Sequence, residues 1–332
     1  MARALVIGGT LFIGRTLVER LLERGDEVTI LHRREGTPWG DRAKEILCDR
    51  NDSDAVVDAL AGTTFEVVYD NVYDWERGTP AEPVVAAART AAEGGTLRRY
   101  VFTSTVAAYG EGLAFREDDD LAPPDHPLPY TREKAETERA LFRLREEKGV
   151  SVSTVRPPFI YGPGNPFERE AFFWDRIVAG RPVIVPDDGT RPMQWVHVDD
   201  VARTLMRAAE RDVADGRAYN LGEYPPMTQL EYLEALARAA DRPLDTVFVP
   251  RERVQAAGGS VTEPPLYFGL YLDVPPMIVR ADRVGEELEL DPVPFGEGLR
   301  ETFAWYREQE RSAPDFSWED RLLLAVSRGE VT

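Results

Sequence analysis

Tyr130 and Lys134 lie four residues apart in the run Tyr130-Thr131-Arg132-Glu133-Lys134, and on a helix that spacing puts both on one face. A free phenol titrates at about 10 and is a poor base at neutral pH. A fixed cation roughly 4 Å away, at an effective dielectric of about 20, offers on the order of 4 kcal/mol to the phenolate. That is about three pKa units, enough to make Tyr130 a usable proton acceptor. Lysine is scarce, with only Lys44, Lys134 and Lys148 among forty basic residues. The competing reading is an exposed Tyr and Lys on a solvated helix, so the pair needs the other motifs to decide it.

The opening segment supplies a dinucleotide site. Ala4-Leu5-Val6-Ile7 is a short apolar run that ends at Gly8-Gly9-Thr10-Leu11-Phe12-Ile13-Gly14. From Ile13 the apolar residues Leu17, Val18, Leu21 and Leu22 follow helical spacing, Gly25 stops the helix, and Val28-Thr29-Ile30-Leu31 reads as a second strand. Strand, glycine turn, helix and strand form a mononucleotide-binding unit whose helix N-terminus meets a pyrophosphate. The usual middle glycine is replaced by Leu11, so the backbone approaches phosphate through Gly8 and Gly9. After the second strand, where an NAD enzyme carries an acid, the chain has His32, Arg33 and Arg34. An arginine pair suits a 2′-phosphate, which favours NADP over NAD, unless both simply face solvent.

Further segments follow in one register. They are Cys48-Asp49-Arg50-Asn51, Val67-Val68-Tyr69-Asp70-Asn71-Val72, and the run from Val101 through Thr103-Ser104-Thr105 to Tyr109-Gly110. Arg156-Pro157-Pro158-Phe159-Ile160-Tyr161-Gly162 and His197-Val198-Asp199-Asp200 come after them. Together they resemble the extended short-chain dehydrogenases/reductases of the NAD-dependent epimerase/dehydratase family. The Gly-Gly-Thr-x-Phe-Ile-Gly opening and the stretch from Phe172-Phe173-Trp174 to Gly189-Thr190 are similar to the atypical branch that includes the chloroplast stem-loop-binding proteins.

The resemblance implies Tyr130 as general base, Lys134 as its pKa-lowering partner and ribose ligand, and Thr105, four residues before Tyr109, as the substrate-orienting hydroxyl. It implies cofactor contacts from Gly8, Thr10, Leu11, Phe12, Ile13 and Gly14 in the loop. Others would come from Arg33, Arg34, Asp49, Arg50, Asn71, Val72, Lys134, Pro157 and Ile160. Thr105, Phe159, Arg191 and Trp195 would face substrate, and no metal is implied. The positions after Thr105, where the family's sugar dehydratases carry an Asp-Glu pair, are Val106 and Ala107, so β-elimination lacks its acid–base couple. The Asn that commonly holds a sugar-nucleotide diphosphate corresponds to Phe159, and the usual Arg-Asp pair to Met193-Gln194. A hydroxylated, non-nucleotide substrate is therefore preferred, with a nucleotide sugar held by Arg191 as the rival. A non-catalytic NAD(P)-binding or RNA-binding protein is a second rival.

The 332-residue chain, 43% hydrophobic, is long enough for a large core. No apolar run is long enough to span a membrane, the first strand starts at once, and a single cysteine, Cys48, fits a reducing cytoplasm. A net charge of −19 repels a phosphate backbone, which disfavours nucleic acid as partner. Glu138-Arg139 and Arg143 through Glu147 read as solvated helix faces.

The expected fold is α/β, a doubly wound parallel Rossmann sheet with a smaller discontinuous C-terminal substrate-binding subdomain. Residues 1–162 and 196–222 are assigned to the dinucleotide-binding part, 163–195 and 223–332 to the other. By resemblance, helices over 80–92 and 131–148 form a homodimer interface. Asp199 or Asp200 is expected to cap the helix beginning at Val201, and Thr228 with Glu231 to form a capping box. Tyr267, Phe268, Tyr271 and Met277 are expected to line the cleft or pack the core.

Overall fold

The computed structural model describes residues 1–223, 225–260 and 273–329. Two compact units are formed, the first from residues 1–160, 195–224 and 277–293, the second from 161–194, 225–276 and 294–332.

In the first unit, strands and helices alternate from the start. The sequence runs β1 (Arg3–Ile7), α1 (Phe12–Glu23), β2 (Glu27–His32), β3 (Ala43–Leu47), α2 (Ser53–Leu60), β4 (Val67–Asp70), α3 (Ala81–Glu93) and β5 (Arg99–Thr103). A short β6 (Gly112–Phe115), α4 (Pro129–Lys148), β7 (Val152–Arg156) and β8 (Phe159–Tyr161) follow. Seven strands make one sheet in the order β3-β2-β1-β4-β5-β7-β12, where β12 is Arg217–Asn220. All six pairings are parallel. Such a sheet is covered on both faces, and its strands accordingly read as continuous apolar runs.

Side chains of a strand alternate between faces, and β1 shows how the two cores are divided. Ala4 and Val6 join Leu17, Val18 and Leu21 of α1 on one side. Leu5 and Ile7 join Val56, Val84, Ala88 and Leu141 of α2, α3 and α4 on the other. The strand order reverses between β1 and β4, which opens a crevice at their carboxyl ends, the place where doubly wound sheets take their ligands.

The helix α6 (Val198–Glu210), which follows the short strand β11 (Trp195–His197), covers the α1 side. It starts earlier than the sequence pattern suggests, because His197, not Asp199 or Asp200, caps it; its Nδ1 accepts the Asp199 amide at 3.4 Å. Asp200 instead accepts the Val293 amide at 3.0 Å. Residues 277–293, assigned by sequence to the C-terminal part, belong with the sheet unit. Their strand β15 (Met277–Val279) pairs in parallel with β6, and α9 (Asp282–Leu288) packs against α6. Met277 is half-buried there; Tyr267, Phe268 and Tyr271 lie outside the described residues.

The second unit contains α5 (Arg169–Val178), β9 (Val183–Pro186), β10 (Pro192–Met193), β13 (Met227–Thr228), α7 (Gln229–Ala239), β14 (Thr246–Val249) and α8 (Arg251–Ala256). It closes with α10 (Phe295–Glu308) and α11 (Ser317–Ser327). β9 pairs in parallel with β14 and β10 antiparallel with β13. The capping box of Thr228 and Glu231 opens α7 as the sequence implies. A buried Arg176–Glu319 pair at 2.6 Å ties α5 to α11 beside a core of Ile184, Val249, Val254 and Leu322. Among the described residues, no helix is long and apolar enough to cross a membrane.

The tightest constraint in the sheet unit is the approach of α1 to β1. A Cβ built on Gly14 would lie 1.8 Å from the Gly8 carbonyl oxygen. Gly14→Ala must push the helix off the strand, and urea unfolding should register a loss of about 3 kcal/mol. Wild-type stability in that variant would mean that α1 does not approach so closely.

Candidate functional site

The glycine loop leaves β1 at Gly8, whose φ of +81° and contact with Val72 (2.5 Å from a built Cβ to Cγ2) admit only glycine. α1 then begins at Phe12 with Leu11 as N-cap. No side chain caps it and no acidic residue lies in its first turn. Leu11 is exposed, Thr10 and Ile13 are half-buried, and Phe12 is buried with φ +42°. The first-turn amides of such a helix are donors in need of an acceptor. Across the crevice, at the end of β4, Asn71 donates its amide to the Ile7 carbonyl at 3.0 Å. Its Oδ1 accepts the Thr103 hydroxyl, while its buried Nδ2 has no partner among the described residues. An uncapped helix start, a glycine cradle that a Cβ would fill and an orphaned amide donor together fit a dinucleotide.

The acidic turn after β3 is more structural than its sequence suggests. Arg50 is fully buried, ion-paired with Asp70 and bonded to the Pro83 carbonyl at 3.0 Å. Its guanidinium serves the core and has no reach to a ligand, which corrects the cofactor role expected for that side chain. Asp49 is held by Arg77 at 2.9 Å, and that hydrogen bond keeps its carboxyl below the usual range. Arg33 and Arg34 are both exposed at the end of β2, and Arg33 donates to Asp74 at 3.0 Å. Burial alone would raise Asp74, but Arg77 and the amides of Glu76 and Arg77 outweigh it and hold the carboxyl at about 2.

α4 carries the candidate proton-transfer groups. Pro129 at its first turn presets the helical φ, so Tyr130 enters the helix in a fixed frame. Tyr130 is half-buried; Tyr73 meets its ring edge-on at 4.7 Å and Trp75 stacks on it at 4.9 Å. One turn on, Lys134 is buried and donates to the Thr103 carbonyl at 2.8 Å. Its Nζ lies 4.6 Å from the Phe102 ring centre and 5.6 Å from that of Tyr73. Burial, with Arg50 helping, pushes the ammonium down to about 8 against the opposing pull of Asp70, Glu138 and Glu133.

Thr105 is buried at the end of β5, where its Oγ1 accepts the Ala107 amide at 3.2 Å and so caps the turn Val106–Tyr109. Its neighbour Ser104 donates to Glu138 and is thereby committed to the core. Pro157 is buried too, and its carbonyl accepts the Val106 amide at 3.1 Å, fixing the turn beside Thr105. Ile160 is half-buried against the α1–α6 core.

Of the residues expected to meet substrate, Phe159 is half-buried with its ring 5.2 Å from that of Trp195. Trp195 is fully buried, a correction: it backs Phe159 and has no face for a ligand. In the second unit, Met193 is also buried, and Arg191 pairs with Asp273 at 2.7 Å. Arg251 converges on the same carboxylate.

Residues 4–222 match the NAD dependent epimerase/dehydratase family. The chain belongs to that family. The chloroplast stem-loop binding protein of 41 kDa b from Arabidopsis thaliana is 29% identical over 257 residues, 73% of this chain and 64% of that protein. The chain thus spans just under two-thirds of that relative's length. A UDP-glucose 4-epimerase from Mycolicibacterium smegmatis is 28% identical over 274 residues, 75% of this chain and 86% of that one. Among solved structures, dTDP-glucose 4,6-dehydratase from Bacillus anthracis in complex with NAD has a TM-score of 0.75 at 18% identity. The match covers 97% of this chain and 100% of that one, and it shows the shared fold.

Other residues around α4 escape the sequence pattern. Glu138 is not on a solvated face; it is fully buried, bonded to Arg156 at 2.7 Å and to the Thr154 hydroxyl at 2.9 Å. Arg156 in turn donates to the Tyr109 hydroxyl, which donates to Asn220 at 2.9 Å. The available signal was spacing, since Glu138 sits four residues after Lys134 and so shares its face. Tyr73, Asp74 and Trp75, directly after β4, carry no such signal. Cys48 is buried in the core.

The lowered Lys134 has a thermodynamic signature. Below about pH 8 the folded and unfolded states both carry its proton; between there and the ordinary value of 10.5 only the unfolded chain does. Raising the pH across that window therefore favours the folded state. The stability advantage of Lys134→Met over wild type in urea should be constant below pH 8, then shrink by up to about 1.4 kcal/mol per pH unit. A difference that stays flat across the window would show that the ammonium is not desolvated.

Proposed function

We propose that this protein is an NAD(P)-dependent oxidoreductase or epimerase acting on a secondary alcohol of a sugar-like or other hydroxylated substrate. One observation carries the reading: on α4, Tyr130 stands one turn before a lysine whose ammonium is buried against the backbone that leads to Thr105. A bound nicotinamide dinucleotide supplies the hydride acceptor or donor. The Tyr130 phenolate takes the hydroxyl proton and becomes a neutral phenol, Lys134 lowers the cost of forming that phenolate beforehand and holds the ribose, and Thr105 orients the alcohol. Gly8, Gly14 and the open start of α1 hold the pyrophosphate, and Asn71 offers its free amide hydrogens beside it. The relatives named epimerase and dehydratase, and the NAD held by one of them, support the reaction class.

Dehydration stands outside the proposal, because Val106 and Ala107 provide no acid–base pair where one is needed. Arg33 and Arg34 favour NADP. A nucleotide-sugar 4-epimerase is the second reading, favoured by Arg191 and Arg251 converging on Asp273 in the second unit, where two guanidiniums could serve a diphosphate. The net charge of −19 speaks against RNA as partner. We assign the protein to the cytoplasm as a homodimer joined through α3 and α4, which pack side by side.

Tyr130→Phe tests the reading. Against a panel of UDP-sugars, free aldoses and simple secondary alcohols, turnover should fall about 10²- to 10⁴-fold, with NADP binding unchanged. Turnover equal to wild type would overturn it. Arg33→Ala should weaken NADP about tenfold and NAD hardly at all by calorimetric titration; equal losses would make Arg33 a structural partner of Asp74 alone.

A further inference from the structure

The loop between β4 and α3 carries an exposed tryptophan, Trp75, 62% accessible and stacked on the ring of Tyr130 at an interplanar angle of 27°. Tyr73 meets the same ring at 85°, and meets Trp75 at 69° with centroids 4.9 Å apart. Two rings at nearly right angles to each other limit both the swing and the tilt of the Tyr130 ring. Offset and edge-to-face contacts are the favourable geometries for aromatic pairs, so each contact holds the ring as well as walling it.

The loop that presents these rings is tied down on every side. Asp74, between them, accepts the amides of Glu76 and Arg77 at 3.0 and 3.1 Å and the guanidinium of Arg33 at 3.0 Å. The Thr79 hydroxyl accepts the Asp74 amide at 2.9 Å, and Asn51 donates to the Gly78 carbonyl at 2.7 Å. Glu133, one turn beyond Tyr130 on the same helix, accepts the Thr79 amide at 2.8 Å, and burial together with the nearby Glu133 carboxylate raises the Tyr73 phenol. The loop is thus pinned to α4 at Glu133, one turn from the Tyr130 ring that Tyr73 and Trp75 contact. Gly78 allows this approach, since a Cβ there would lie 2.7 Å from the Glu133 carboxylate oxygens.

We infer that Tyr73 and Trp75 are positioning residues that clamp the Tyr130 side chain in the orientation its proton transfer requires. The inference rests on the proposed role of Tyr130. A base acting at hydrogen-bond distance must keep its rotamer through the reaction, and a misplacement of about 1 Å can cost two orders of magnitude. Asp74 carries the clamp and also holds Arg33, so the ring positions and the end of β2 are fixed by one carboxylate.

The test is NMR of the NADP-loaded full chain with ring-labelled tyrosine, the Tyr130 signal being assigned by its loss in Tyr130→Phe. Wild type should give one sharp Tyr130 resonance with a single titration midpoint. In Trp75→Ala the resonance should split or broaden and its midpoint should move by about half a unit or more. Trp75→Phe should restore both. A Trp75→Ala protein that melts like wild type and keeps the wild-type resonance and midpoint would overturn the clamp. That result is distinct from failure of the functional reading, which appears as undiminished turnover in Tyr130→Phe.

Discussion

A desolvated ammonium at the end of β5 sets the terms for this half of the molecule. Lys134 is taken out of water and compensated by one carbonyl, two aromatic faces and the more distant charges of Asp70 and Glu138. An uncompensated cation in that position would be costly, so the groups around it must be held in place. The carbonyl belongs to Thr103, which binds Asn71 at the end of β4, and Glu138 is anchored to β5 and β7 through Ser104 and Thr154. Lys134 and Glu138 thereby bind α4 to β5 and β7, Thr103 links β5 to the end of β4, and those strands end at the crevice where β1 offers its glycine loop.

The interior depends on guanidinium–carboxylate pairs to a degree that the acidic surface conceals. Arg50 with Asp70 and Arg156 with Glu138 are buried in the sheet unit, and Arg176 with Glu319 in the other. Buried pairs are poor sources of net stability, because desolvation consumes most of the Coulomb gain. Their geometry is strict, however: a forked guanidinium accepts one arrangement of partners and rejects a slipped register. In the network from Ser104 through Glu138, Arg156 and Tyr109 to Asn220, a shift of β7 against β5 would strand two charges at once. Lysine, a point charge on a flexible stem, would hold that register less firmly.

Much of the scaffold is legible in the residues taken in order. The run Ala4–Ile7, the glycine turn and the spacing of Leu17, Val18, Leu21 and Leu22 determine a strand, a turn and a helix by local pattern, and the structure places β1 and α1 there. Thr228 and Glu231 announce a helix start for the same reason, since a capping box involves only four consecutive residues. The Tyr130–Lys134 pair is readable because helical spacing alone puts both on one face.

Whether a charged residue faces water is decided by segments remote in the chain, and there local pattern stops. Glu138 looks solvated beside Arg139 until β7 brings Arg156 against it; Arg50 looks available until Asp70 and Pro83 close around it. Trp195 reads as a cleft residue but is buried behind Phe159, and β15 rejoins the sheet unit by pairing with β6, more than a hundred residues before it. The sequence alone determined the elements and the candidate proton-transfer pair, because those depend on neighbours within a turn or two. Tertiary structure decided which charges are buried, which rings brace Tyr130 and where residues 277–293 belong, because each depends on contacts that only the folded chain creates.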